Sequence, residues 1–379
     1  MNTGKIIIGA IALLLSGLTF SQSKTAFDVE TRGGYEYNYF KSPEVIRMND
    51  TILTKEDLIA SSIYQDIKLN YKYRYKWNKK NRLRVFLTPF SRLFYENFDD
   101  SYWSLDARAK YDHKFTKKLS FLAEARFKRM NREGLGGDQD VLINPLGYTN
   151  YGATAELEVV PFENNETTLG GFYNFKDFDA FGVRDLQFNE TGIQFSSVQS
   201  FEVNRLKHKF GVNGYFKKRL YDTFNASEII TDGERDWDYA KGSIFYELPF
   251  SSTFKIKPNF LYYVRIDNST EGRSGFNQFG PGINMMYKSK TTKVRSTFSY
   301  ITRKYKEIEA RNTEERIGEK LKYGYANFQV NAAHKIGKGF SVTGILYSRI
   351  RSTNYTDIDA RSFRNYRNQY AGIGVLWEF

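Results

Sequence analysis

Cysteine is absent from the 379-residue chain, which removes disulfides, thiolate metal sites, cysteine nucleophiles and a lipidated N-terminal cysteine. Histidine is scarce, at 3 residues, and proline stands at 7. Beyond the N-terminus there is no run of about 20 apolar residues, so a helical membrane bundle is excluded. The mean hydropathy of −0.56 looks like that of a water-soluble chain. It does not exclude a membrane β-barrel, whose strands show lipid only every second side chain. What the chain does have is aromatic side chains: 28 Tyr, 32 Phe and 4 Trp make 17% of it. So many rings must be buried in something apolar, which argues against disorder. Lys and Arg outnumber Asp and Glu 56 to 43, a net charge of +13. The basic residues are spread along alternating segments with no compact basic module, so no nucleic-acid partner is expected.

Residues 1–22 read as a secretory signal peptide. Lys5 supplies the positive start, Ile6 to Leu15 the apolar core, and Ser16 to Gln22 a small, polar exit, with cleavage expected near Ser21 to Ser23. The apolar core is too short to anchor in a bilayer. The mature chain, 23–379, is expected to form one domain outside the cytoplasm.

From there on the dominant period is two. Ile63, Ile67, Leu69, Tyr71, Tyr73, Tyr75 and Trp77 share one parity; Lys68, Asn70, Lys72, Arg74 and Lys76 hold the other. Trp103 to Tyr111 and Leu119 to Phe127 repeat the pattern, as do segments near 206–213, 254–264, 293–300 and 340–346. Such alternation gives strands with one apolar and one wet face. The Glu-rich stretch 305–320 is the one helical candidate. Short connections (Asn78 to Asn81, Thr116 to Lys118, Glu163 to Glu166, Glu202 to Arg205, Pro249 to Thr253, Lys288 to Thr292, Lys335 to Gly339) alternate with longer, polar ones near 41–61, 131–148, 176–187, 218–235, 265–275, 303–320 and 350–365. The link near 96–101 breaks the rule. The fold class that follows is all-β: a closed antiparallel transmembrane barrel of about 16 strands (about 14–18), with short periplasmic turns and longer extracellular loops. A soluble sandwich or propeller would leave too many Tyr and Phe exposed, whereas lipid uses them as wall and girdle. Pro89, Pro258 and Pro281 fall inside proposed strands and are expected at bulges or strand boundaries.

The last residues, Ala371-Gly372-Ile373-Gly374-Val375-Leu376-Trp377-Glu378-Phe379, put Ala371, Ile373, Val375, Trp377 and Phe379 on one parity. This end resembles the final strand of a bacterial outer-membrane β-barrel protein, in which a terminal aromatic is read by the barrel assembly machinery. The resemblance marks Trp377 and Phe379 as the assembly signal. It implies an integral place in the outer membrane, contact with lipid and lipopolysaccharide, and a porin-like passage of small solutes. A homo-oligomer is one expectation by the same analogy. No plug domain or energy-coupling box precedes the first strand candidate, Val29 to Tyr39, so the chain does not resemble a TonB-dependent transporter.

The wet-facing positions near the short turns are basic: Lys72, Arg74, Lys76, Arg82, Arg84, Arg126, Lys128, Lys207, Lys209, Lys255, Lys257, Lys293 and Arg295. Asp106, Asp112 and Glu124 are the main acids beside them, while other acids gather in the long links. If that face lines a lumen, it carries a positive field of the kind that selects anions. The alternative is that these are solvated lumen side chains without a selective role. His113, His208 and His334 lie near short turns on the apolar parity, no long link contains a histidine, and no His/Asp/Glu cluster has transition-metal spacing, so no catalytic residue, cofactor or metal site is expected. Val141, Leu142, Ile143 and Pro145 form an apolar segment inside a surface link, either a constriction folded into the barrel or a contact patch. The expected function is a passive channel for small hydrophilic, anionic solutes. The alternatives are a non-conducting barrel that serves as partner in an envelope complex and, less favoured, an outer-membrane hydrolase.

Overall fold

Alternation of this length leaves the backbone one stable use in lipid, a sheet closed on itself so that no edge is left unpaired. The computed structural model describes residues 23–48, 50–132, 147–179, 187–223, 235–269, 274–360 and 364–379; residues 1–22 and the segment containing Val141, Leu142, Ile143 and Pro145 lie outside them. The chain begins with β1 (Ser23–Tyr37), followed by a small hairpin of β2 (Ile46–Met48) and β3 (Thr51–Leu53) and one helical turn, α1 (Lys55–Leu58). Then come β4 (Ser62–Lys76), β5 (Asn81–Phe94), β6 (Tyr102–Lys114), β7 (Leu119–Asn131), β8 (Tyr148–Val159), β9 (Asn165–Phe178), β10 (Gln187–Val203) and β11 (Leu206–Thr223). The second half holds β12 (Arg235–Pro249), β13 (Phe254–Asp267), β14 (Phe276–Lys288), β15 (Thr292–Arg311), β16 (Arg316–Gly337), β17 (Phe340–Thr353) and β18 (Tyr366–Glu378).

β1 and β4 through β18 pair in sequence order as sixteen antiparallel strands, and β18 returns to β1 to close the barrel. The seam runs from Asp28 opposite Glu378 to Tyr37 opposite Gln369. Short connections and both described chain ends share one rim; the long links share the other. Outward parity carries Ile67, Phe195, Ile244, Phe260, Phe298, Leu346 and Ile373, all exposed, which gives the barrel an apolar outer face. The first strand begins earlier than Val29 and ends at Tyr37.

Two expectations need correction. The stretch 305–320 is not helical, and 303–320 is mostly not a loop. β15 and β16 run on to a four-residue turn at 312–315, because Tyr305, Leu321 and Tyr323 keep the inward face supplied with buried apolar side chains. Nor do the three prolines sit at register-shifting bulges. Pro89 pairs with Leu105 on one side, while the ladder to β4 skips from Lys68–Phe90 to Tyr71–Leu87. Pro258 faces the gap between Phe245–Asn259 and Leu248–Ile256, and Pro281 the gap between Phe279–Thr302 and Gly282–Ser299. A missing N–H opens each ladder locally and the register resumes unchanged.

At the seam, packing replaces lipid contact. Tyr64 (β4), Gly34 (β1) and Gly372 (β18) stand in one cross-strand row on the inner face. The Tyr64 ring lies over both glycines: a Cβ on Gly34 would come within 2.7 Å of the ring, and one on Gly372 within 2.4 Å of its hydroxyl. The Arg92 guanidinium caps the ring at 4.2 Å. It also binds Asp66 through two nitrogens (2.7 and 2.8 Å) and Glu36 at 2.5 Å, while Asn368 Nδ2 donates to Glu36 at 3.0 Å. One buried network thus ties β18, β1, β4 and β5 together where the barrel closes.

Candidate functional site

The inner wall is the surface that could touch a solute. Register sets its composition, because each ladder places like parities opposite one another. All thirteen basic residues singled out from the sequence fall on the inward parity, but they are not alike. Lys72 lies 3.6 Å from Asp28; Arg82 and Arg84 share Asp112 at 3.1 and 2.7 Å; Arg126 pairs with Asp106; Lys255 reaches Glu247 at 2.8 Å. Lys257 sits 3.4 Å over the Phe245 ring and Lys128 5.6 Å from that of Tyr148. Among the described residues, no carboxylate lies within 4.0 Å of Arg74, Lys207, Lys209, Lys293 or Arg295. Lys72, Arg74, Lys76, Lys207, Lys293 and Arg295 are exposed although they face inward, so the half of the lumen near the short turns is wet.

These cations are a field around the wall, not one cluster. Lys293 and Arg295 share a cavity of about 500 Å³ with Arg32, Lys68, Arg92, Glu30 and Asp66. Lys76 and Arg82 line another of about 550 Å³ at the short-turn rim with Lys24, Lys79, Lys80, Lys114 and Asp112. The inward acids are more numerous than the sequence reading allowed: Asp28, Glu30, Glu36, Asp66, Glu190 and Glu247 each hold a cation. Glu30 pairs with Arg32 two residues along β1, but the partners of the others come from other strands, so a single strand does not display those pairings.

The outward half of the wall differs. Aromatic rings pack side by side in two clusters, Phe188, Tyr221, Trp237 and Tyr239 in one, Phe276, Tyr305, Tyr323 and Tyr325 around Leu321 in the other, with Tyr263 against both. Guanidiniums alternate with them. Arg219 lies 4.2 Å over Phe188, Arg265 4.2 Å over Trp237, Arg303 4.2 Å over Phe276, and Arg351 4.5 Å over Tyr366. This belt was missed from sequence. Its arginines Arg219, Arg265, Arg303 and Arg351, with Tyr221 and Tyr305, lie in segments assigned to long links, although same-parity pairs such as Tyr323/Tyr325 and Arg349/Arg351 carried the signal.

The link from β1 to β4 turns inward at its start. Tyr39 and Phe40 are buried with Tyr64 and Phe94, and the Tyr39 hydroxyl donates to Asp100 at 2.5 Å. Burial, and then Asp100, hold that hydroxyl's pKa well above its ordinary value. The three histidines lie on the outward face near the short-turn rim: His113 is 2.7 Å from Asn81, His208 stacks on Phe201, and His334 is 2.8 Å from Thr292. Among the described residues no group of three or more His, Cys, Asp or Glu could hold a metal ion.

No protein-family model and no curated protein matches this chain. Solved structures similar to it include CdiB from Acinetobacter baumannii (TM-score 0.48, 7% identity, 94% of this chain and 60% of that one) and the outer membrane protein OpdK from Pseudomonas aeruginosa (0.46, 9%, 94% and 99%). A bacterial polysaccharide outer membrane secretin is also similar (0.45, 9%, 95% and 100%). The chain has the architecture of an outer-membrane β-barrel, a closed sixteen-strand antiparallel sheet with an apolar outer face and a polar lumen.

Proposed function

We propose that this protein is an outer-membrane channel through which small hydrophilic solutes diffuse passively, anions ahead of cations. The proposal takes residues 1–22 as the export signal and 23–379 as the barrel. One observation carries it: inward-facing, water-exposed cations, among them Arg74, Lys293 and Arg295, have no carboxylate within 4.0 Å among the described residues. Sixteen strands are wide enough for an aqueous passage. One charge about 7 Å from an ion in water contributes only about 0.6 kcal/mol. Several acting inside a screening length of about 8 Å enrich anions severalfold. No chemical step is required, and width and field set the preference.

The test is swelling of proteoliposomes that hold the refolded chain. Gluconate, as its potassium salt with a permeant cation carrier, should enter faster than a cationic solute of equal size. Equal rates would remove the anion preference, and no swelling from a folded barrel would remove the channel. In that second case the reading of a non-conducting partner barrel takes over, favoured by the aromatic packing along the inner wall near the long links.

A further inference from the structure

The start of the β1–β4 link is a built turn. Asn38 and Lys41 both take left-handed backbone angles, φ 53° and 61°. The Asn38 side chain clamps the turn from both sides. Its Nδ2 donates to the Ser42 carbonyl at 2.8 Å, and its Oδ1 accepts from the Ser42 N–H at 2.7 Å. The Lys41 N–H donates to the Asn38 carbonyl at 3.0 Å. Both clamp residues are fully buried. On one side, Asn368 of β18 donates to the Asn38 carbonyl at 3.1 Å. On the other, the Arg132 guanidinium, just past β7, lies 6.0 Å from the Phe40 ring and 5.1 Å from that of Tyr102. The turn therefore lies inside the wall, between β18 and the ends of β6 and β7, and carries Lys41.

Lys41 is exposed to water yet meets cations across the gap. Arg349 and Arg351 on β17 face inward, and Arg349 stands directly opposite Asn368 in the ladder. Although Lys41 stays open to water, the wall packed around it withholds part of its hydration and lowers the ammonium's pKa below its ordinary value, and the positive charges of Arg349 and Arg132 lower it further. Glu36, the nearby acid, is already committed to Arg92 and Asn368. The Nε atoms of Arg132 and Arg349 are buried and have no hydrogen-bond partner among the described residues. The positive charges of Arg132, Arg349 and Arg351 act against that of Lys41, and a counter-charge that several of them reach at once relieves the repulsion.

We propose that Lys41, Arg132, Arg349 and Arg351 form a capture site for a small polyvalent oxyanion, a polyphosphate or polycarboxylate, entering from the long-link rim. The proposal deepens the channel reading by giving the anion a first stop. Arginine supplies forked donors to paired oxygens, and Lys41 a point charge that completes the ring.

The test is isothermal titration of pyrophosphate, and separately of citrate, into the refolded full chain in neutral detergent, with folding checked by heat-modifiable mobility. At least one probe should bind far more tightly than acetate. Lys41→Gln and Arg349→Gln should each weaken it about tenfold, and the binding should fall with salt. Lys55→Gln makes the same charge change on exposed α1 of the same link and should leave affinity unchanged. Absent heat from folded wild type, or equal weakening by K55Q and K41Q, would overturn the site. Conductance is measured on the same preparation. Binding without conductance would sink the channel and leave the site standing; conductance without binding would do the reverse.

Discussion

At the scale of single residues, the seam shows how much depends on partners that no local pattern reveals. Arg92 satisfies Asp66 and Glu36 in a space where all three are buried. Removing the cation strands two carboxylates, a loss of about 3–5 kcal/mol by the usual cost of breaking a buried ion pair. Arg92→Ala should therefore shift the urea unfolding midpoint strongly downward, and Asp66→Asn, which keeps a hydrogen-bonding oxygen, less so. Gly34→Val adds a side chain where a Cβ already meets the Ala371 carbonyl oxygen at 2.1 Å. It should reduce the folded fraction in the same assay. On the opposite face, Ile67→Lys and Leu105→Lys place a charge in lipid. Each should cost about 2–4 kcal/mol near the bilayer midplane, read as lost heat-modifiable band. Silence of both would reverse the in/out assignment. Parity made that assignment legible from sequence, since Ile67 and Lys72 differ visibly. The pairings of Lys72, Arg82 and Arg126 were not legible, because Asp28, Asp112 and Asp106 approach them from neighbouring strands or across the ladder.

At the scale of elements, the strand count and the alternation of short and long connections could be read directly, because each short turn falls where the period-two pattern breaks for a few polar residues. The extension of β15 and β16 could not. Its run of Lys and Glu has the composition of a helix, and only the buried spacing of Tyr305, Leu321 and Tyr323 identifies it as strand. That extension forms a small core with Phe276 and Tyr325 near the long-link rim, braced by Thr356 and Asp357 N–H groups donating to the Arg311 carbonyl. Leu321 is fully buried there. Leu321→Ala should cost about 2–5 kcal/mol of local stability, seen as faster hydrogen exchange in 305–325, with the rest of the barrel still protected. Equal loss of protection everywhere would mean that the extension is not a separate unit. The arginines of the aromatic–arginine belt were missed for a related reason: Arg219, Arg265, Arg303 and Arg351 lie in strand ends that were read as loops.

At the scale of the whole molecule, the barrel divides along its axis. The half near the short turns is wet and carries cations, among them Arg74, Lys293 and Arg295, with no carboxylate within 4.0 Å among the described residues; the half near the long links is lined by rings, guanidiniums and the Lys41 turn. A solute leaving the ring-lined half enters a positive field, so anions should pass more readily than cations of the same size. Surface charges of this kind are screened by salt, so the preference should shrink as ionic strength rises. The most direct test is the reversal potential of the refolded protein in a planar bilayer under a KCl gradient. The sign should show chloride preference, and the combined change Arg74→Glu, Lys293→Glu and Arg295→Glu should weaken or reverse it without loss of folding. Cation preference in the unaltered protein, or no conductance from a demonstrably folded barrel, would contradict the account.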